Sequence, residues 1–113
     1  MTVTESSFEP KVAGFRPAEP RAPGWTFLTN HAHVLLTLAA DPELRIRDVA
    51  VMVGITERAA QRILHDLVEA GYVERERHGR RNTYSLALDR PLRHPVEAPH
   101  TIGELVDTLC GSR

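Results

Sequence analysis

The sequence predicts a mainly α fold with one small β-hairpin, an α+β arrangement. Apolar residues recur three and four positions apart in three central segments and again near the C-terminus, as on one face of a helix. Between them, segments 72–77 and 83–88 are strand-like, and the Gly-containing loop 78–82 joins them at hairpin length. A chain of 113 residues has the size of one domain, so a core is expected and a deep catalytic cleft is not.

The first two helices are predicted from their caps and breaks. Thr29 or Asn30 caps a helix that runs to about Ala40, where Asp41-Pro42 ends it. A short β-like link follows over 44–47, and a short second helix spans 48–53 until Gly54 stops it. The side chains expected to point inward are Leu35, Leu38 and Ala39 in the first helix, and Val49, Ala50 and Val53 in the second.

The third helix is predicted from the N-cap Thr56 to Ala70, with Gly71 in the left-handed position that follows it. Its expected apolar face is Ala60, Ile63, Leu64 and Leu67. The opposite face carries Arg58, Gln61, Arg62 and His65, at i, i+3, i+4 and i+7. Arginine suits guanine and glutamine suits adenine in the major groove of DNA. A solvated polar face is the alternative, but the absence of acids at these four positions favours contact with DNA.

Positive charge concentrates in the same part of the chain. The whole sequence has a net charge of −1, whereas residues 45–83 sum to +2. The hairpin segment 75–81 holds four Arg and one Glu, and Gly79 lets its tip turn while Arg80 and Arg81 project. We expect Glu74 and Glu76 to pair with Arg75 and Arg77 across the strands. For Asn82 and Thr83, a phosphate contact and a turn-forming role are equally open.

The stretch IRDVAVMVGITERAAQRILHDLVEAGYVERERHGRRNTYSL, residues 46–86, resembles the winged helix-turn-helix of the MarR and ArsR families of bacterial transcription regulators. The resemblance covers about 25–88. It rests on Ala50, Gly54, Thr56, Leu67, Gly71, Val73 and Tyr84, and on the arginine-rich hairpin segment 75–81, which corresponds to the wing. It implies sequence-specific binding of double-stranded DNA, with the third helix in the major groove and the wing on the backbone or minor groove. The DNA-binding residues expected are Thr56, Glu57, Arg58, Gln61, Arg62, His65, Arg77, His78, Arg80, Arg81 and Asn82.

The two ends of the chain are predicted to differ from this DNA-binding domain, which spans 25–90. Residues 1–24 form a proline-rich arm, either attached through Phe8 and Phe15 or disordered. Residues 91–113 form a proline-rich extended link and a last helix, in which Thr101 and Glu104 make a capping box.

The last helix carries an apolar stripe of Ile102, Leu105, Val106, Leu109 and Cys110, and a helix of this length is stable only when docked. In the resembled families such a helix most often dimerises, and a homodimer implies an inverted-repeat operator. The stripe is also able to cover the core of its own domain, but dimerisation is the favoured interpretation. Val51 and Met52 are expected at the surface, covered by the arm, by the last helix or by a second subunit.

Several other classes of function are disfavoured by the sequence. No segment approaches a membrane span, the N-terminus lacks a secretory pattern, and the single cysteine favours a reducing compartment, so a cytoplasmic location is expected. No catalytic motif is present and no enzyme activity, cofactor or metal is expected; His31 and His33 diverge on a helix. Two alternatives stay open: a protein-interaction module whose contact is formed by Val51, Met52 and the last helix, and a regulator responding to metal or, through Cys110, to oxidant. The sequence does not indicate an effector.

Overall fold

The computed structural model describes residues 24–111 and confirms the predicted fold class of four helices and a two-stranded antiparallel hairpin. The predicted arm, with Phe8 and Phe15, lies outside the described residues apart from Gly24. The elements in chain order are α1 (Asn30–Ala40), α2 (Ile46–Val53), α3 (Glu57–Glu69), β1 (Val73–His78), β2 (Arg81–Leu86) and α4 (Ile102–Cys110). One apolar core joins α1, α2, α3, the hairpin and the start of α4.

Helix α1 is the central helix of the fold. Thr29 caps it, as predicted, because its hydroxyl accepts a hydrogen bond from the Ala32 N–H at 3.3 Å. The helix contacts α2, α3, α4 and β2, so more than one side of it is apolar. The predicted face is therefore too narrow: Ala39 is only half-buried, while the buried residues are Val34, Leu35, Leu36, Thr37 and Leu38.

Helix α2 begins earlier than predicted, and the β-like link over 44–47 is wrong. Arg45 is the N-cap in an extended conformation, and the helix starts at Ile46. Asp48 then lies in the first turn, where a negative charge is favoured by the helix dipole. The segment before α2 is tied to the hairpin by a backbone hydrogen bond, in which the Tyr84 N–H donates to the Pro42 carbonyl at 3.1 Å.

The buried and exposed apolar side chains of α2 are not the ones predicted. Val49 and Ala50 are buried as expected, but Val53 is half-buried. Met52 is buried as well, with 7% exposure, whereas Val51 is 49% exposed. The surface patch expected from Val51 and Met52 is thus reduced to Val51.

Helix α3 and the hairpin follow closely in sequence. Thr56 caps α3 by accepting from the Ala59 N–H at 3.0 Å, the four predicted apolar residues are buried, and Gly71 has a φ of 85°. The prediction of a five-residue loop in the hairpin is wrong. His78 pairs with Arg81, which leaves a two-residue turn of Gly79 and Arg80. Gly79 takes its first position with a φ of 65°, a conformation that glycine adopts without steric cost.

The link before α4 is compact rather than extended. Pro91 and Thr101 form an antiparallel bridge, and the Leu92 N–H donates to the His100 carbonyl at 3.0 Å. Inside this closed loop the Ala98 N–H donates to the His94 carbonyl at 2.9 Å. Proline disfavours the α region for the residue before it, and its own φ of about −65° is compatible with turns, so local turns form in this link.

Helix α4 docks on α1 through part of its stripe. The capping box is confirmed: Glu104 N–H donates to the Thr101 hydroxyl at 3.2 Å, and the Glu104 carboxylate accepts from the Thr101 N–H at 2.9 Å. Ile102 is buried in the core, and Val106 packs against it. Leu105 is half-buried and Leu109 is 46% exposed, so the helix covers its own domain with one side of the stripe.

Glu104→Gln is expected to make the fold less sensitive to acid. The Thr101 N–H, and then His100, lower the pKa of Glu104. A carboxyl whose pKa is lowered by folding stabilises the folded state when ionised, and this contribution is lost as the pH falls through the folded-state value. Glutamine retains the capping geometry but does not titrate. We expect the melting temperature, followed by circular dichroism below the ordinary carboxyl range, to fall less steeply in the variant.

The matched control is Asp107→Asn, which removes another exposed acid from the same helix. Equal acid dependence in wild type, Glu104→Gln and Asp107→Asn contradicts the role given to the capping box.

Candidate nucleic-acid interface

The outer face of α3 presents hydrogen-bonding side chains side by side. Arg58, Gln61, Arg62 and His65 are all exposed, while the opposite face of the helix is buried in the core. Thr56 and Glu57 lie exposed at the N-terminal end of the helix, where backbone N–H groups favour an anion. The Thr56 oxygen already accepts the capping bond, and its hydroxyl proton can still be donated.

The acids of α3 lie at the border of this face. The Nε2 atom of His65 is 3.9 Å from Oε2 of Glu69, an acid one helical turn away that the four positions of the polar face do not include. Asp66 turns towards α1, and its Oδ2 atom lies 2.8 Å from Nε2 of His31. That hydrogen bond, with smaller contributions from the charges of His31, His65 and Arg62, lowers the pKa of Asp66. The negative charge of Asp66, four residues after Arg62, is thereby held against the neighbouring helix.

The arginines of the wing differ in how far they are held by other parts of the chain. Arg80 lies exposed in the turn. Arg77 braces the tip, because its Nε atom donates to the Gly79 carbonyl at 3.0 Å. Arg81 reaches back to the segment before α2, where its Nη2 atom donates to the Glu43 carbonyl at 3.3 Å. Arg80 is therefore the side chain at the tip that is best placed to meet a phosphate.

The remaining wing residues are placed by the strand register. His78 is exposed, with its Nε2 atom 3.9 Å from Oε1 of Glu76. Asn82 is half-buried opposite Arg77.

The expected ion pairing along the hairpin is wrong. Arg75 faces Tyr84 and Arg77 faces Asn82, whereas Glu74 and Glu76 face Ser85 and Thr83. Successive strand residues point to opposite faces, so the acids and the arginines of β1 lie on different sides of the sheet. The arginine side of the wing is consequently not neutralised by those two acids.

Two further arginines were missed by the sequence analysis. Arg45 and Arg47 lie exposed at the start of α2, because the helix begins two residues earlier than predicted. In helix-turn-helix proteins the helix before the recognition helix crosses the DNA backbone. The sequence does show two arginines on either side of Ile46. They were not identified as candidate phosphate contacts because segment 44–47 was predicted to be an extended link.

Two further properties of residues 24–111 concern metal binding and membrane insertion. In this range no cluster of three or more His, Cys, Asp or Glu side chains is arranged to hold a metal ion. Over the same range, none of the helices combines the length and the apolar character needed to cross a membrane.

Comparison with known families agrees with this geometry. Residues 26–81 match the model of the MarR family, which covers α1, the helix-turn-helix, β1 and the tip of the wing. This winged helix belongs to the MarR family. MarR proteins are DNA-binding transcriptional regulators rather than enzymes. No curated protein matches the sequence. The MarR match ends at Arg81, so α4 and the closed loop before it lie beyond it.

Proposed function

We propose that this MarR-family chain is a transcriptional regulator that binds double-stranded DNA in a sequence-specific manner. The observation that carries the proposal is the exposed face of α3, where Arg58, Gln61, Arg62 and His65 stand together opposite a buried apolar face. A major groove is wide enough for such a helix, and these side chains reach base edges.

Different groups then have different tasks on the DNA. Arg58 and Arg62 suit guanine and Gln61 suits adenine, so they read sequence. The α3 N-terminus with Thr56, and the α2 arginines Arg45 and Arg47, position the protein on phosphates without reading bases. Arg80 enters the minor groove or binds a flanking phosphate.

The nearly neutral net charge shapes this binding. With a total of −1, the chain gains little from general attraction to the DNA polyanion. Affinity then depends on the correct base contacts and on the spacing of half-sites. A cytoplasmic location is part of the same proposal.

We also propose that the regulator acts as a homodimer on an inverted repeat. Leu109 is 46% exposed on α4 and offers apolar surface for a second copy, while Leu105 is half-buried on the side of the helix that faces α1 and α3. Ile102 is buried in the core of its own domain, and Val106 packs against that core. These two residues therefore hold α4 in place beneath the exposed surface. A two-fold dimer places its half-sites about 34–36 Å apart, one turn of DNA. The interaction-module alternative loses Met52, which is buried, and keeps Val51 and the Leu109 side chain of the last helix as exposed apolar residues.

Arg80→Ala is expected to weaken binding to all duplex sequences and to flatten its salt dependence. Each phosphate contact contributes about 0.9 to the slope of log affinity against log salt concentration. Neither a flanking phosphate nor the minor groove gives Arg80 a contact that identifies each base pair, so the ratio between operator and unrelated DNA should change little. Fluorescence anisotropy titrations at several salt concentrations measure both quantities.

Arg93→Ala is the matched control, since it removes an exposed arginine from the loop before α4 and not from the wing. If Arg80→Ala and Arg93→Ala alter the salt slope equally, the wing does not contact DNA as proposed.

A further inference from the structure

Strand β2 of the wing is bonded to the segment between α1 and α2 at two points. The Tyr84 N–H donates to the Pro42 carbonyl at 3.1 Å, and the Nη2 atom of Arg81 donates to the Glu43 carbonyl at 3.3 Å. The two acceptors are adjacent residues, and the two donors lie at the turn end and near the middle of β2. The wing is thus held to the rest of the domain by one backbone bond and one side-chain bond.

The segment that accepts these bonds is itself fixed. The Glu43 N–H donates to Oδ1 of Asp41 at 3.2 Å, and the Leu44 N–H donates to the Asp41 carbonyl at 3.2 Å. The Asp41 N–H donates in turn to the Thr37 carbonyl in the last turn of α1, at 3.1 Å, and Leu44 packs against the core. A side chain bonded to the Glu43 carbonyl is therefore bonded to a part of the chain that moves with α1 and α2.

Arg81 also differs from Arg77 in the face of the hairpin on which it lies. Arg81 pairs with His78 across the two strands. Alternate residues of a strand point to the same face, so Arg81 shares its face with Glu76 and not with Arg77. A carboxylate on the same face weakens the attraction of an arginine for a phosphate. Both the hydrogen bond and the register thus separate Arg81 from the arginines that face DNA in the proposed function.

The bond made by Arg81 bears directly on the tip of the wing. Arg80 is the preceding residue and lies in the two-residue turn. Holding Arg81 against the segment before α2 limits where the Arg80 side chain can lie relative to α3. A contact residue that is already held in place loses less conformational entropy on binding, so its contact contributes more to affinity.

We propose that Arg81 is a positioning residue of the wing. Through its bond to the Glu43 carbonyl it holds the neighbouring Arg80 at the distance from α3 at which both elements reach the same duplex, and it does not itself bind a phosphate. This role differs from the direct DNA contact that the sequence predicts for Arg81. Its effect on DNA rests on the proposed function, whereas the attachment of the wing is measurable on the free chain.

Amide hydrogen exchange of the full chain, followed by NMR, tests the attachment without DNA. Arg81→Ala removes one of the two bonds, so we expect the Tyr84 N–H, which makes the other, to exchange about fivefold faster than in the wild type. Arg81→Lys retains a charged donor of similar reach and should restore most of the protection. Arg80→Ala is the matched control, because it removes the adjacent arginine and should leave the exchange of Tyr84 unchanged. Arg81 is exposed, so the fold itself should persist in all three variants.

A double-mutant cycle on the duplex selected by the chain tests the effect on DNA. Arg81→Ala is expected to weaken binding about fivefold on its own and to add little in the Arg80→Ala background, since its effect passes through Arg80. A direct phosphate contact would instead lower the salt slope by about a further 0.9 in that background. Arg93→Ala combined with Arg80→Ala is the control pair, and its effects should be additive.

The outcomes separate this proposal from the proposed function. Unchanged exchange of the Tyr84 N–H in Arg81→Ala overturns the positioning role, and so does an Arg81→Ala effect on DNA that is equal in the two backgrounds. A wild-type chain that binds no duplex overturns the proposed function, and with it the effect of Arg81 on DNA, even where the exchange of Tyr84 responds as expected.

Discussion

Arg62→Ala is expected to abolish most of the discrimination between operator and unrelated duplex DNA while leaving the fold intact. Arg62 is exposed in the middle of the outer face of α3, one turn beyond Arg58. A bidentate contact between arginine and guanine contributes about 1–3 kcal/mol of discrimination, so the ratio of affinities should fall about 5- to 150-fold. Competition binding with an operator and a scrambled duplex measures this ratio.

Two controls make the result specific. Circular dichroism should show an unchanged melting temperature, because the side chain is exposed and faces away from the core. Arg93→Ala removes an arginine elsewhere on the surface and should leave the ratio of affinities as in the wild type. An Arg62→Ala protein that still prefers the operator as strongly as the wild type does would refute the assignment of α3 as the reading element.

Leu38→Ala is expected to cause the largest loss of stability among single substitutions in α1. Leu38 has no solvent exposure and lies in the cluster that joins α1 to α2, α3, the hairpin and α4. Truncating a fully buried leucine costs about 2–5 kcal/mol, which is a large share of the about 5–15 kcal/mol that stabilises an ordinary domain. Urea denaturation followed by circular dichroism gives the change directly.

Leu109→Ala provides the matched comparison, because it makes the same truncation at a residue that is 46% exposed on α4. At protein concentrations where the chain is monomeric, we expect it to cost much less than Leu38→Ala. Similar losses in the two variants would mean that the core is not centred on α1.

Helix caps were predictable because they are local. Thr29, Thr56 and Thr101 each cap the helix that follows, and the bond joins residues three apart. The start of α2 was not found from local signals, since its N-cap Arg45 makes no side-chain capping bond. The prolines of the link suggested an extended chain, but the bridge between Pro91 and Thr101 closes it into a loop. Contacts with the rest of the fold override the local preference there.

In the candidate interface too, features set by local spacing were predictable and features set by distant contacts were not. The outer face of α3 follows from helical spacing alone, so its four polar residues were found in the sequence. The positions of Arg81 and Asp66 depend on partners far along the chain: Arg81 bonds to the Glu43 carbonyl, and Asp66 to His31. No periodicity reports such pairs, and they leave Arg80 as the tip residue aimed outward.

The most direct test of sequence-specific binding is selection of bound duplexes from a random-sequence pool by the full chain, followed by titration of the enriched sequence at two salt concentrations. The proposed function predicts an enriched inverted repeat with half-sites about one helical turn apart, bound more weakly as salt rises. Failure to enrich any sequence over successive rounds, or binding that does not respond to salt, would contradict the proposal that α3 and the wing bind DNA.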